Sequence, residues 1–433
     1  MTRLLLVLLL LLSFLVRLYR LDTPDRYIFD EVYHAVTAKL YAKNDPSGYE
    51  WWHPAPEPNT AIEWLHPPVA KLTQALGILV LGEQAIAWRI PSVFFGVGVI
   101  WLTYLLAKRI SGRDWIGLIA ATLVAVDGLL FVQSRVAMND IHITFFYALS
   151  VLMYLQFRDA VADQRKTKKN LQEAGIVFTQ KPPIRELLFT GLSVGLAIST
   201  KWSGFFLIGL MFGDQIYGWI RSWRLPSVLN FLRLIAFWLL LPAAVYVGSY
   251  AQFWLQGHTW QQFSQLHNQI LRYQTSLDAT HPYQSTPIEW ILNLRPVWIA
   301  VDYQEGQVAQ IYNVGNPVLF WLGALVMLWI FILTLRSFDW TRWFLFAAYG
   351  SSWVLWLFSP RIMFFYHYAP AVPFLAVAVA WWIGTLQRYR NIVMISVLAL
   401  AVMWFVVFFP HLSGMFVPTG ISQALYYWFS SWR

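Results

Sequence analysis

The stretch LLLVLLLLLSFLVRLY, from Leu4 to Tyr19, is followed shortly by a charged and aromatic segment, PDRYIFDEVYHAVTAKLYAKN, from Pro24 to Asn44. An apolar run of this kind approaches the length that crosses a bilayer, about 17 to 25 residues. No small-residue cleavage site follows it, so we interpret the run as a retained membrane anchor rather than a signal peptide. The sequence therefore predicts that Asp30 and Glu31 lie just beyond a membrane-spanning segment.

The composition of the whole chain is that of a membrane protein. Of its 433 residues 58% are hydrophobic and only 12% are charged, which departs strongly from ordinary soluble domains. The net charge of +9 comes from basic residues between apolar runs, not from a basic stripe interleaved with aromatic residues. We therefore expect no nucleic-acid partner. The absence of cysteine excludes disulfides and thiolate metal sites.

Apolar runs recur along the entire sequence and predict an all-α polytopic membrane protein with about eleven transmembrane helices. The predicted spans lie near 4–19, 86–107, 115–133, 140–157, 186–200, 203–220, 231–250, 316–335, 343–358, 363–384 and 391–410.

The placement of Lys and Arg predicts the topology. With a cytoplasmic N-terminus, most basic residues fall in inner segments, as the positive-inside rule requires. The chain is then a single membrane domain, 1–433, of a bacterial-type cytoplasmic membrane, with two extracytoplasmic loops, 20–85 and 251–315. The basic inner segment 158–186 is predicted to be either a tether or a contact for anionic lipid headgroups.

Three basic residues break this topological pattern. Arg135, Lys201 and Arg361 each stand alone at the predicted outer end of an apolar run, where the cytoplasmic leaflet gives them no benefit. Each could be an isolated snorkelling side chain. All three at one depth favour a shared anion, and a phosphate on a lipid such as a polyprenyl phosphate fits Arg and Lys contacts beside apolar helices.

The carboxylates of the opening stretch have two possible uses. Apolar positions predict a helix from about Asp30 to Ala42, so Asp30 is either its N-cap or a catalytic group. Glu31 would point about 100° away on that helix, so the two carboxylates cannot address one atom. Glycosyl transfer from a sugar phosphate requires one base for the acceptor hydroxyl and cations for the departing phosphate. Asp30 opposite the three cations would satisfy that requirement.

Three further side chains are candidates for support of such a site. His66, in IEWLHPPVAK, is placed by two prolines, either for structure or for substrate. Asp140 either pairs with Arg135, or holds the region of Glu31 and His34, or caps a helix. His281 lies in a loop rich in Pro and Trp that suits a lid.

The sequence predicts no cofactor. The nine histidines show no zinc signature, and phosphate neutralisation by Arg and Lys makes a metal unnecessary. A divalent ion held by Asp30, Glu31 and nearby histidines remains an open alternative.

Taken in order, these segments resemble the protein O-mannosyltransferase family, the dolichyl- or polyprenyl-phosphate-mannose–protein mannosyltransferases, in their compact bacterial form. The motifs that carry the resemblance are FDEVYH at Phe29–His34, HPPVAK at His66–Lys71, SRVAMND at Ser134–Asp140, STKWSG at Ser199–Gly204, HPYQS with NLRPVW, NVGNPVLFW at Asn313–Trp321, and RIMFFYHYAPAVPFL at Arg361–Leu375.

The resemblance implies a GT-C type fold with its active site on the outer face. It implies that Asp30 is the base or the group that orients the acceptor, and that Glu31 supports the site. Arg135 and Lys201 would contact the lipid phosphate. Mannose would pass, with inversion, from polyprenyl-phosphate-mannose to Ser or Thr hydroxyls of exported proteins.

Two other functions remain as alternatives. A lipid-linked sugar transferase for a lipid or glycan acceptor would use the same phosphate site but a second membrane-facing cleft. A transporter or flippase would place ionisable residues at mid-bilayer depth, for which only Asp127 and Asp214 are candidates.

Overall fold

The computed structural model describes residues 1–173, 183–223 and 226–433. The basic inner segment predicted to be a tether or a contact for lipid headgroups lies partly outside these residues. The helices are α1 (Thr2–Leu18), α2 (Glu31–Ala42), α3 (Val69–Leu81), α4 (Ala85–Ser111), α5 (Asp114–Ala125), α6 (Gly128–Gln133), α7 (Asp140–Glu173), α8 (Ile184–Ile198), α9 (Phe205–Ser222), α10 (Val228–Ile235), α11 (Leu241–Ser249), α12 (Ala251–Leu255), α13 (Trp260–Ser276), α14 (Pro287–Ile291), α15 (Pro317–Arg336), α16 (Trp340–Ser351), α17 (Val372–Thr385), α18 (Arg390–Ser413) and α19 (Thr419–Leu425). The strands are β1 (Val297–Gln304), β2 (Gln307–Asn313) and β3 (Phe416–Pro418).

Every predicted span contains at least one helix. Among the described residues, six helical segments are long and apolar enough to cross a membrane by length and composition. Their bounds are Ala85–Ser111, Asp140–Gln164, Val228–Ser249, Pro317–Arg336, Phe365–Thr385 and Arg390–Ser413. The other predicted spans correspond to shorter helices.

The predicted span near 115–133 forms two helices, α5 and α6, because Asp127 interrupts it. One carboxylate oxygen of Asp127 accepts the N–H of Leu130 and caps α6, at 2.9 Å. The other accepts the N–H of Asn316 at the start of α15, also at 2.9 Å. Asp127 is fully buried, and its bond to Asn316 joins two parts of the bundle.

The two long loops meet at one end of the bundle, which we call the loop side. Arg26 of the first loop forms a 2.6 Å salt bridge with Asp302 of the second. Tyr41 of α2 stacks on Tyr49 at 4.3 Å, and the Gln252 amide donates to the Tyr41 carbonyl at 2.8 Å. These contacts fasten α2 to the chain that follows α11.

The loop side also carries a three-stranded antiparallel sheet in the order β1-β2-β3, which the all-α prediction missed. The signal was present in the sequence, because two runs rich in Val, Ile, Ala and Tyr flank the turn at Glu305 and Gly306. Gly306 has a φ of 65°, the left-handed conformation that such turns require. The strand β3, after α18, completes the sheet only through tertiary contact.

Small residues allow close packing of α8 against the chain from α10 to α11. A Cβ placed on Gly191 would lie 2.0 Å from the Phe237 carbonyl oxygen, and one on Gly195 would lie 2.6 Å from the Val245 Cβ. The two glycines are four residues apart and share one helix face. This is the small-xxx-small arrangement by which membrane helices approach each other closely.

We expect Gly191→Ala to destabilise the protein by about 1–3 kcal/mol, because the new methyl group meets backbone rather than a side chain that can move. Thermal unfolding in detergent measures the effect. The matched control is Gly209→Ala in α9, where the added Cβ meets open space. Equal melting temperatures for the two variants would contradict the packing described.

Candidate functional site

Asp30 lies at the start of α2 with its carboxylate turned away from the helix. It occupies the N-cap position, as predicted, but its side chain makes no capping hydrogen bond. The hydroxyl of Tyr366 donates to its Oδ2 at 3.5 Å, a long contact. The capping alternative therefore has no support from the geometry, and the carboxylate is available for another partner.

The surroundings of Asp30 favour its protonated form. Loss of hydration is the main cause that raises its pKa, to about 7, and the negative charge of Asp140 adds to the effect. The charge of Lys201 and the hydrogen bond from Tyr366 act in the opposite direction. A carboxyl group with this pKa can gain and lose a proton near neutral pH.

Glu31, the neighbouring carboxylate, lies in a different environment. It is fully buried, and each of its oxygens accepts a 2.8 Å hydrogen bond from the Arg89 guanidinium. It also accepts backbone N–H groups from Ile28 and Ala137, at 3.1 and 3.0 Å. Glu31 thus joins α2, α4 and the segment before α7, and this geometry indicates a positioning residue rather than a group that touches substrate.

A chain of contacts runs from Asp30 to a buried lysine. Lys201 forms a 2.8 Å salt bridge with Asp140, and its ammonium lies 5.8 Å from the centre of the Tyr366 ring. Tyr366 in turn reaches Asp30. The predicted alternative in which Asp140 pairs with Arg135 is wrong, because the segment after α8 brings Lys201 to Asp140 at the start of α7.

Arg135 is almost completely buried and lies in a cage of backbone carbonyls. Its guanidinium donates to the carbonyls of Arg17, Tyr19, Arg20 and Leu412, at 2.6 to 3.4 Å. It is only 5% exposed. The predicted contact with a phosphate has no support from this arrangement, since the donors already hold the end of α1 and the end of α18.

Arg361 lies on the loop side and is partly exposed. Its guanidinium donates to the Gln274 side chain and lies 5.7 Å from the Tyr273 ring centre, so it faces α13. Arg361 lies five residues before Tyr366, which contacts Lys201, whereas Arg135 donates to carbonyls at the ends of α1 and α18.

The HPP segment forms a second polar cluster beside α2. The His66 Nδ1 lies 2.7 Å from a Glu63 carboxylate oxygen, and the other oxygen accepts from the Lys71 ammonium at 2.5 Å. The Thr37 hydroxyl of α2 accepts the Glu63 N–H at 2.7 Å. His66 thus lies beside α2, and its support of the site stays a prediction.

His281 takes part in local contacts of the second loop. Its Nδ1 accepts the Tyr283 N–H at 3.1 Å, and its ring lies 5.2 Å from that of Phe364. Phe364 stacks on Tyr366, so His281 reaches the site only through two aromatic rings. This position does not favour contact with a reacting atom.

Four residues of the site were not singled out from the sequence: Glu63, Arg89, His34 and Tyr366. Tyr366 lies in the motif RIMFFYHY, where an aromatic residue beside Arg361 reads as an ordinary interfacial side chain. Glu63 precedes His66 by three residues, and this spacing was the available signal for a carboxylate–histidine pair. Arg89 gave no signal, because its partner Glu31 is distant in sequence.

Among the described residues, no group of three or more His, Asp or Glu side chains could hold a metal ion. The carboxylates of Glu31, Glu63 and Asp140 face the cations of Arg89, Lys71 and Lys201 instead.

Solved structures share the architecture. A chain of the Saccharomyces cerevisiae protein O-mannosyltransferase Pmt1-Pmt2 complex, bound to the sugar donor, superposes with a TM-score of 0.76 at 14% identity, covering 95% of this chain and 90% of that one. ArnT from Cupriavidus metallidurans, bound to undecaprenyl phosphate, gives a TM-score of 0.62 at 12% identity over 92% of this chain and 63% of its own. The fold is that of the GT-C glycosyltransferases, and the protein is an integral membrane protein.

The family follows from sequence comparison. The model for dolichyl-phosphate-mannose-protein mannosyltransferase matches residues 7–256, and the model for the C-terminal four-transmembrane region of protein O-mannosyltransferase matches residues 259–432. The chain therefore belongs to the dolichyl-phosphate-mannose-protein mannosyltransferase family.

Two similar proteins of known name come from actinobacteria. The polyprenol-phosphate-mannose–protein mannosyltransferase of Corynebacterium glutamicum is 27% identical over 85% of this chain and 81% of its own length. The enzyme of the same name from Mycolicibacterium smegmatis is 27% identical over 94% of this chain and 87% of its own.

We expect Glu31→Gln to lower the free energy of unfolding by about 3–5 kcal/mol, because the substitution leaves the buried Arg89 charge without its counterion. The measurement is thermal unfolding in detergent. Glu305→Gln, at the exposed tip of the β1-β2 hairpin, is the matched control and should leave the melting temperature unchanged. A stable Glu31→Gln protein would remove the positioning role.

Proposed function

We propose that this protein transfers mannose from a polyprenyl-phosphate-mannose donor to Ser and Thr hydroxyls of exported proteins, with inversion at the anomeric carbon. One observation carries the proposal. The carboxylate of Asp30 makes no capping hydrogen bond, and its pKa is raised to about 7. Tyr366 contacts both this carboxylate and the buried ammonium of Lys201. Family membership and the names of the relatives support the donor and the acceptor.

Asp30 acts as the general base in this reaction. Its carboxylate accepts the proton of the acceptor hydroxyl while the hydroxyl oxygen forms a bond to the anomeric carbon. The bond from that carbon to the phosphate oxygen breaks, and the electron pair leaves with the lipid phosphate. Attack from the face opposite the phosphate inverts the configuration.

Lys201 and Arg361 stabilise the departing phosphate. Lys201 is held by Asp140 on one side and by the Tyr366 ring on the other, so its position is set before the donor arrives. Arg361 is partly exposed and can give the bidentate contact that a phosphate accepts. These two cations supply the charge that a metal ion would otherwise supply, and the proposed reaction needs no cofactor.

We place the loop side, and with it Asp30, on the extracytoplasmic face of the membrane. The distribution of Lys and Arg along the sequence supports this orientation through the positive-inside rule. An acceptor on that face is an exported polypeptide.

A lipid or glycan acceptor is the second candidate, because such a transferase would use the same phosphate site, and ArnT, which shares the fold, binds undecaprenyl phosphate. The transporter alternative loses its main support, because both of its candidate residues have protein partners. Asp127 binds two backbone amides, and Asp214 accepts from Trp340 at 2.8 Å and pairs with Arg158 at 3.2 Å.

We expect Asp30→Asn to lower kcat by roughly 10²–10⁴-fold, because an amide cannot take the acceptor proton. Donor affinity should change little. The measurement is transfer of radiolabel from polyprenyl-phosphate-mannose to a Ser/Thr-rich peptide, with the dissociation constant of the donor determined in parallel.

Asp25→Asn, an exposed aspartate of the same loop, is the matched control and should keep full activity. Label in a lipid or glycan fraction instead of the peptide would favour the second candidate. An Asp30→Asn protein as active as the control would remove the assigned base.

The pH profile offers an independent check. Activity should fall as the pH drops through about 7, because protonated Asp30 cannot accept a proton. The charge of Asp140 raises the pKa of Asp30, so Asp140→Asn should move this acid limb to lower pH. The readout is the midpoint of kcat/KM against pH. A midpoint that stays fixed in Asp140→Asn but moves in Asp25→Asn would contradict the assignment.

A further inference from the structure

His34 presents an unpaired ring nitrogen one helical turn beyond Asp30. It is the fourth residue after Asp30, the N-cap of α2, so it lies on the same helix face, about 6 Å along the axis. His34 is only 5% exposed. Its Nδ1 is buried and has no hydrogen-bond partner among the described residues. A buried polar atom of this kind usually has a partner, which here points to a ligand.

His66 lies beside it with a fixed orientation. The His34 and His66 ring centres are 6.0 Å apart. The His66 Nδ1 hydrogen bonds to Glu63, and Lys71 holds the other Glu63 oxygen, so Nδ1 carries the proton and Nε2 remains an acceptor. Glu63 and Lys71 are positioning residues, because their polar atoms are engaged with each other and with His66.

Both imidazoles are neutral at physiological pH. Burial lowers the pKa of His34 to about 3, and it also lowers the pKa of His66. A neutral imidazole has one donor and one acceptor nitrogen, as a sugar hydroxyl both donates and accepts. The pair is therefore better suited to an uncharged hydroxyl group than to a phosphate.

The position of the pair agrees with the path of the donor. Tyr366 contacts both Lys201 and Asp30, His34 follows Asp30 by one helical turn, and the His66 ring lies 6.0 Å from that of His34, so the pair adjoins the region of Asp30 and Lys201. A donor whose phosphate lies beside Lys201 and whose anomeric carbon lies beside Asp30 has its sugar ring in this region. Hydroxyl groups of the ring then reach the wall made by α2 and the HPP segment.

We propose that His34 and His66 bind a hydroxyl group of the transferred sugar and thereby select the sugar of the lipid donor. This inference rests on the proposed function, because it needs a sugar attached to the lipid phosphate. The alternative is that the two histidines have only a structural role. The binding role and the structural role predict different effects of His34 and His66 substitutions on activity with different sugar donors.

The test compares kcat/KM for polyprenyl-phosphate-mannose with kcat/KM for its 2-, 3-, 4- and 6-deoxy analogues, in wild type and in His34→Ala. The wild type should discriminate by roughly 10²-fold or more against the one analogue that lacks the bound hydroxyl, because the site is then left with an unpaired polar group. His34→Ala should lose activity with mannose and keep its activity with that analogue, so the discrimination disappears.

An equal loss of activity on every donor would overturn the inference and show a structural role, as would a wild type that accepts all four analogues equally. His34→Gln and His66→Gln serve the same comparison with smaller changes in volume, and thermal unfolding reports on their folding. His53→Gln, an exposed histidine of the same loop, is the control. No transfer of mannose to peptide by the wild type would instead overturn the proposed function, and the inference with it.

Discussion

The buried salt bridge between Glu31 and Arg89 is the constraint on which the site depends. Two charges buried together are favourable only when every donor and acceptor is satisfied. Here the carboxylate accepts from one guanidinium and two backbone amides, while Arg89 also donates to the carbonyls of Leu21, Pro24 and Arg26. The first turn of α2 is thereby held against α4 and the segment before α7, and Asp30 is placed with it.

Adjacent carboxylates thus acquire opposite properties from their environments. Both oxygens of Glu31 accept from Arg89 and from backbone amides, whereas Asp30 has one long side-chain hydrogen bond among the described residues and a pKa raised to about 7. The difference arises from hydration and neighbouring charge rather than from the side chains themselves. The same principle separates the cations. Arg135 is surrounded by carbonyl groups that hold helix ends, while Lys201 lies between a carboxylate and an aromatic ring.

Polar clusters in this bundle are of two kinds: those that connect helices and those that lie near Asp30 and Lys201. Asp127 and Asp214 connect distant helices through backbone and side-chain donors, and each is almost completely buried. His34 differs, because it is also buried but its Nδ1 has no hydrogen-bond partner among the described residues. A buried polar side chain whose hydrogen bonds are all made has a structural role. A buried polar atom without a partner, close to a reactive group, indicates a ligand.

The sequence by itself determined the helical membrane architecture, the helix that begins at Asp30, and the placement of carboxylate, lysine and HPP motifs near one end of the bundle. These features are local: apolar run length and the distribution of Lys and Arg do not depend on which helices become neighbours. The β1-β2 hairpin, with its turn at Glu305 and Gly306, was also visible in the local sequence, but the all-α prediction missed it.

Only the tertiary structure decided that Asp140 pairs with Lys201 and that Arg135 is enclosed by carbonyls. It likewise placed Tyr366 next to Asp30. Pairings between distant residues follow from helix packing, and a single sequence carries no direct record of the distances that packing creates.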